Sequence, residues 1–124
     1  MTMRRIGIAV AAAAYLTHGS AWAAGDPEAG KAIARKCMAC HSFEAGVNKV
    51  GPSLFGIVGR HSGSIAGFEY SPAMKGFDKT WDEALLNTYL IEPRATVPGT
   101  KMIFPGLKEE KDRQDVIAFL STLK

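Results

Sequence analysis

The run Cys37-Met38-Ala39-Cys40-His41 holds the only two cysteines of a 124-residue chain, and it limits what the chain can build around itself. A cysteine pair in an exported protein is ordinarily a disulfide. A bridge over so short a loop, however, removes little entropy from the unfolded chain and would hardly stabilise a domain of this size. A thioredoxin-like redox pair would follow a strand and open a helix within a βαβ pattern, which the chain does not show. Zinc asks for four ligands, and no second CxxC or HxxxH pair completes a closed site. The histidine directly after the second cysteine decides between these readings. Two thiols on one short turn can add across the two vinyl groups of a single haem, and the next residue then falls under the iron, where an imidazole nitrogen can bind it. The motif therefore reads as covalent haem attachment through Cys37 and Cys40, with His41 as an iron ligand.

The N-terminal stretch reads as a cleaved export signal over residues 1–23. Arg4 and Arg5 supply positive charge, Ile6 to Leu16 is apolar, and Ala21-Trp22-Ala23 offers a small-x-small cleavage site. A membrane anchor needs roughly 20 apolar residues. Thr17, His18, Gly19 and Ser20 interrupt the run before that length. Nothing beyond the Arg4-Arg5 pair supports a twin-arginine signal, and ordinary secretion suits a chain that takes its haem after export. Residues 24–124 are then one monohaem domain in the periplasm.

Without Arg4 and Arg5 the chain has thirteen basic residues against twelve acidic. A nearly neutral domain gives no general attraction to nucleic acid or acidic membranes, so any basic docking surface has to be local.

The fold class is all-α, four to five short helices with long loops, since no alternating run makes a strand. Asp26 followed by Pro27 caps a helix that runs toward Cys37. Thr80-Trp81-Asp82-Glu83 reads as a capping box for a helix that Pro93 stops. A last helix carries Glu109, Glu110 and Asp112 in its first turns and a stripe of Val116, Phe119, Leu120 and Leu123. Gly30, in the middle of the first helix, suggests that the terminal helices cross there. The stretch from Ser42 to Gly67 is punctuated by glycines and has no helical period. A loop this long makes sense in a compact domain if it wraps a large apolar cofactor at the centre of the core, and loss of haem should leave the chain largely unfolded.

The second axial position determines the chemistry, because an open iron binds oxygen or peroxide whereas a closed one exchanges electrons. His61, Met38, Met74 and Met102 are the candidates once the signal is gone. Met38 is poorly placed within the attachment loop. Met102 sits in a loop stiffened by Pro98 and Pro105 and has no helical stripe around it. The residues alone leave it open between a ligand and a gap-filling core methionine.

The pieces Gly30, Cys37-Met38-Ala39-Cys40-His41, Gly51-Pro52-Ser53-Leu54-Phe55-Gly56, Gly59-Arg60, Trp81, Tyr89-Leu90 and Pro98-Gly99-Thr100-Lys101-Met102 together resemble a class I cytochrome c, of the bacterial periplasmic kind close to mitochondrial cytochrome c. The resemblance covers nearly all of residues 24–124. It implies the cytochrome c fold, one haem c, and Met102 as the sixth iron ligand. It also implies that the Pro52 carbonyl bonds the other nitrogen of His41, and that Arg60, Tyr70, Trp81 and Thr100 lie around the propionates. Tyr89 would lie near the ligand sulfur, and Phe104 would shield the haem edge. Three positions depart from the pattern. Asn48 stands where many relatives have histidine, Ala34 where an aromatic ring often fills the helix contact, and Met74 where asparagine often binds buried water.

The function implied is one-electron shuttling by a monomeric carrier with both axial positions filled. Lys36, Lys49, Arg94, Lys101 and Lys108 would ring the exposed haem edge and steer acidic redox partners, such as membrane oxidoreductase or oxidase complexes. The rival functions are a peroxidase-like haem enzyme with a displaceable sixth ligand, and a thiol-disulfide oxidoreductase using Cys37 and Cys40.

Overall fold

A computed structural model describes residues 12–14 and 25–124. Apart from residues 12–14, the export signal expected over 1–23 lies outside the described residues. Among the described residues five helices follow one another: α1 (Pro27–Ala34), α2 (Pro72–Lys75), α3 (Glu83–Ile91), α4 (Pro93–Thr96) and α5 (Glu110–Leu120). The described residues contain no strand, only an isolated antiparallel bridge between His61 and Thr80. None of their helices is long and apolar enough to cross a membrane.

The capping chemistry of α1 is as the sequence suggests. The Asp26 carboxylate accepts from the Glu28 amide, and Pro27 occupies the first turn, where no amide hydrogen is needed. The start of α3 differs. Asp82, not Thr80, is the N-cap, accepting from the Leu85 amide at 2.7 Å. Thr80 is engaged in the bridge to His61, and the neighbouring Trp81 amide donates to Arg60 O at 2.8 Å. That tertiary pairing holds residues 80–81 extended, so the helix starts after Asp82, whose ionised oxygen is a strong acceptor for an exposed helix amide. Pro93 does follow the end of α3, and it also opens α4.

The terminal helices α1 and α5 pack against each other at Gly30, where a methyl group would overlap the Asp115 backbone carbonyl. The absent side chain permits the approach and offsets the helix propensity that glycine lacks. Ala34 is fully buried in the same contact. A small residue suffices where the two helices come this close, which accounts for the absence of an aromatic ring at that position. Asp115 ties the ends of the chain together: its carboxylate accepts from the Asp26 amide at 2.8 Å and from Lys111 Nζ at 2.6 Å. Val116, Phe119 and Leu120 are buried, and Leu123 packs against them, as the stripe requires. Phe43 meets Phe119 edge-on at 5.1 Å, which carries the glycine-rich loop onto α5. No helix forms between Ala34 and Pro72, so that whole stretch is loop and turn.

Candidate haem site

A cavity of about 570 Å³ lies between α3, α5 and the long loops. Its walls are mostly apolar, with Ile33, Leu54, Ile57, Leu86, Leu90, Leu107, Val116 and Leu120 among them. That volume falls within the ~300–1,000 Å³ of cofactor sites, and in a chain this short such a hole can persist only if something apolar fills it. Cys37, Cys40, His41 and Met102 all line it.

On one side the attachment motif is a tight turn. His41 N and Cys40 N both donate to Cys37 O, at 2.8 and 3.1 Å, and this follows directly from the end of α1. His41 Nδ1 lies 2.7 Å from the Pro52 carbonyl oxygen. A carbonyl only accepts, so Nδ1 carries the proton and Nε2 is left with its lone pair. Gly51 lies flat against the imidazole, and any side chain there would overlap the ring. Burial is the main cause that lowers the pKa of His41, with Arg60 and Lys49 assisting and the Pro52 bond opposing. Burial pushes the Cys37 thiol up, against a smaller opposite effect of Lys36. Such a thiol is not the activated thiolate that disulfide exchange needs.

A further part of the wall is the loop between α4 and α5. Met102 N donates to Thr100 Oγ1 at 3.2 Å, and the Tyr89 hydroxyl, from α3, donates to Met102 Sδ at 3.2 Å. Burial raises the pKa of Tyr89, and the Thr100 hydroxyl pulls it partly back, so the phenol keeps its proton for the sulfur. Met74 also lines the cavity. His61 is not on the cavity wall; its Nε2 pairs with Asp78 Oδ1 at 2.8 Å on the surface. Met38 is 46% exposed and is not on the wall either.

Pro52, Arg60, Tyr70, Trp81, Tyr89, Thr100 and Phe104 all line the same cavity. Trp81 is buried between Phe77 and Tyr89, with ring centroids at 5.5 and 4.8 Å. Arg60 donates to the Phe55 carbonyl at 2.5 Å, and Tyr70 Oη accepts from the Ile65 amide at 3.0 Å. Asn48, at a departure from the family pattern, accepts from Ser53 N at 2.9 Å and so braces the loop that presents Pro52. Of the five expected docking cations, Lys36 and Lys101 stand on the cavity rim and Arg94 is exposed on α4. Lys49 and Lys108 are exposed, but their ammonium groups donate to backbone carbonyls: Lys49 to Met38 O at 2.8 Å, Lys108 to Ile91 O at 2.9 Å and Pro105 O at 3.2 Å.

Three features escape the sequence reading. Arg113 is buried, donating to Asn87 Oδ1, Leu107 O and Lys108 O, and so clips α3 and the end of the Met102 loop onto α5. Its place three residues before Val116, on the buried stripe, was the available signal. The other two are Val50 and Ile103, 80% and 88% exposed although both border the cavity. They make the rim apolar between its lysines, and only their sequence proximity to Lys49 and Lys101 hinted at that.

A histidine with one nitrogen committed to a carbonyl, two thiols beside it and a deep apolar hollow have the chemistry of a c-type haem domain. A family model described as cytochrome c matches residues 27–124, and the chain belongs to the cytochrome c family. It is 50% identical over 121 residues to cytochrome c2 of Rhodomicrobium vannielii, across 97% of both chains. It is 49% identical to cytochrome c-554 of Methylosinus trichosporium, across 92% of this chain and 87% of that one. Among solved structures, cytochrome cH from Methylobacterium extorquens superposes with a TM-score of 0.76 at 45% identity, over 79% of this chain and 99% of the other. The all-α cytochrome c fold and a covalently bound haem c with its iron follow from that membership.

Proposed function

We propose that this chain is an exported one-electron carrier whose haem is held through Cys37 and Cys40, with His41 and Met102 as the axial ligands. It is an electron-transfer protein of the cytochrome c2 kind, not an enzyme. The observation that carries the reading is the Tyr89 hydroxyl on Met102 Sδ, in the same cavity as a His41 whose Nδ1 is already taken by Pro52. When bound, the haem iron supplies a reversible one-electron change of oxidation state. The protein's part is to keep both axial positions filled and to exclude water. Pro52 fixes the tautomer and plane of His41, leaving Nε2 for the metal. Tyr89 and Thr100 fix the position of Met102, whose thioether favours the reduced state. Arg60, Tyr70, Trp81 and Thr100 supply the polar groups for two propionates, while Phe104 covers an edge.

The export signal, residues 1–23, is cleaved, and residues 24–124 work as a monomer in the periplasm. Lys36, Lys49, Arg94, Lys101 and Lys108 give the cavity mouth a positive ring for acidic patches on membrane oxidoreductases or oxidases, around an apolar centre of Val50 and Ile103. The test is an absorption spectrum of the ferric and reduced protein, with and without carbon monoxide. A weak far-red iron-thioether band in the ferric protein and slow carbon monoxide binding are expected. Met102→Ala should abolish that band and open the iron. A band that survives in Met102→Ala would move the sixth ligand to Met74.

A further inference from the structure

Lys108 does more than carry an exposed charge. The loop that carries Met102 runs between two buried anchors, Val97 and Leu107, and no residue between them is fully buried, although Met102 and Phe104 pack against the core. Pro98, Gly99, Lys101 and Pro105 are exposed, and Ile103 is 88% exposed. Its backbone hydrogen bonds sit at its ends: Thr100 N to Val97 O at 3.0 Å, and Leu107 N to Leu90 O at 2.7 Å. From Met102 to Gly106 the only amide that donates a hydrogen bond among the described residues is Met102 N, to the nearby Thr100 Oγ1. A segment with so little burial and so few ties opens at low cost.

The C-terminal half of this loop leans on the last turn of α3. Gly106 has φ +110° and lies so close to the Ile91 carbonyl that a side chain would overlap it. The final carbonyls of a helix have no partner within it, and they form the negative end of its dipole. Leu90 O is satisfied by Leu107 N, and Ile91 O by Lys108 Nζ. The same ammonium also reaches Pro105 O, in the loop itself. One cation thus joins the end of α3, the helix that carries Tyr89, to the segment that follows Met102.

We infer that Lys108 is a positioning residue for the sixth ligand, a strut that keeps the Met102 loop closed against α3. The inference rests on Met102 being that ligand. Arg113 and Leu90 fix the backbone of residues 107–108 independently, so removing the ammonium frees the loop without releasing its anchor.

The experiment measures the rate at which imidazole binds the ferric holoprotein, a reaction limited by departure of the sixth ligand. At about pH 8 imidazole is mostly in its neutral form, so the loss of a surface charge does not itself alter its approach. Lys108→Met keeps the length of the side chain and removes its donors. It should bind imidazole roughly twofold to fivefold faster, the worth of one exposed charge-assisted bond. Lys108→Arg, which keeps charge and donors, should restore a rate near wild type, and both variants should retain the far-red band. A Lys108→Met rate equal to wild type overturns the strut, as does a Lys108→Arg rate as fast as Lys108→Met. Met102→Ala separates the two readings: loss of its band with an unchanged Lys108→Met rate overturns the strut alone, and persistence of its band overturns both.

Discussion

The two sides of the haem cavity are built on different principles. The His41 side is local and made of backbone: a turn that continues from α1, a carbonyl from Pro52 eleven positions on, and a glycine flat against the ring. The Met102 side is long-range and made of side chains, with a phenol from α3 on the sulfur and a lysine from beyond the loop on the end of that helix. Peptide carbonyls in tight turns have few alternative positions, whereas side-chain donors on a lightly buried loop have many. For the proposed ligand pair, the difference makes His41 the fixed member and Met102 the exchangeable one.

The largest expected effect comes from breaking the fixed side. Gly51→Val places two methyl groups where the His41 ring stands, and overpacking against a ring already held by Pro52 costs about 3 kcal/mol or more. Cell extracts should contain little haem-loaded protein. Normal haem content with unchanged melting would show that the histidine side yields as readily as the other. Tyr89→Phe should act more gently on the exchangeable side, costing about 0.5–1.5 kcal/mol for one lost hydrogen bond. With Met102 as the proposed ligand, a donor on its sulfur would draw electron density away from the iron and disfavour the ferric state. Its removal should therefore lower the reduction potential, which voltammetry measures; an unchanged or raised potential would remove Tyr89 from the account.

The smallest effect belongs to a site remote from both ligands. The Lys111 ammonium and the Asp26 amide lower the pKa of the Asp115 carboxyl. A lowered folded pKa stabilises the fold above the unfolded value of about 3.9, and that contribution fades as pH falls through the folded value. Asp115→Asn should melt below wild type at neutral pH, with the gap narrowing under pH 4. A gap that stays constant with pH would assign the loss to shape instead of charge.

Legibility in the sequence follows the same division. The attachment turn, the Asp26-Pro27 cap and the crossing at Gly30 depend on neighbours in sequence or on one small residue on a helix face, and they were readable before any coordinates. Met102 as a residue of interest was readable from the residues themselves, whereas Tyr89 beside its sulfur was readable only through the family resemblance, because that contact is tertiary. The start of α3 went to Thr80 in the sequence reading because nothing local reveals that His61 occupies that residue. Lys108 reads from the sequence only as a docking cation and Arg113 draws no reading at all, and only the fold shows which carbonyls they satisfy.

The meeting of α1 and α5 has a consequence for how the chain is made. Asp26 and Asp115 are 89 positions apart, so the contact that closes the domain joins its first described turn to its last helix. Bringing such distant segments together costs loop-closure entropy before any packing is gained. In a chain that emerges from its amino end, the two cysteines appear early and α5 arrives last. A chain whose core is the haem gains little from that contact before the porphyrin is in place, so the thiols stay on an open coil until they have been joined to it.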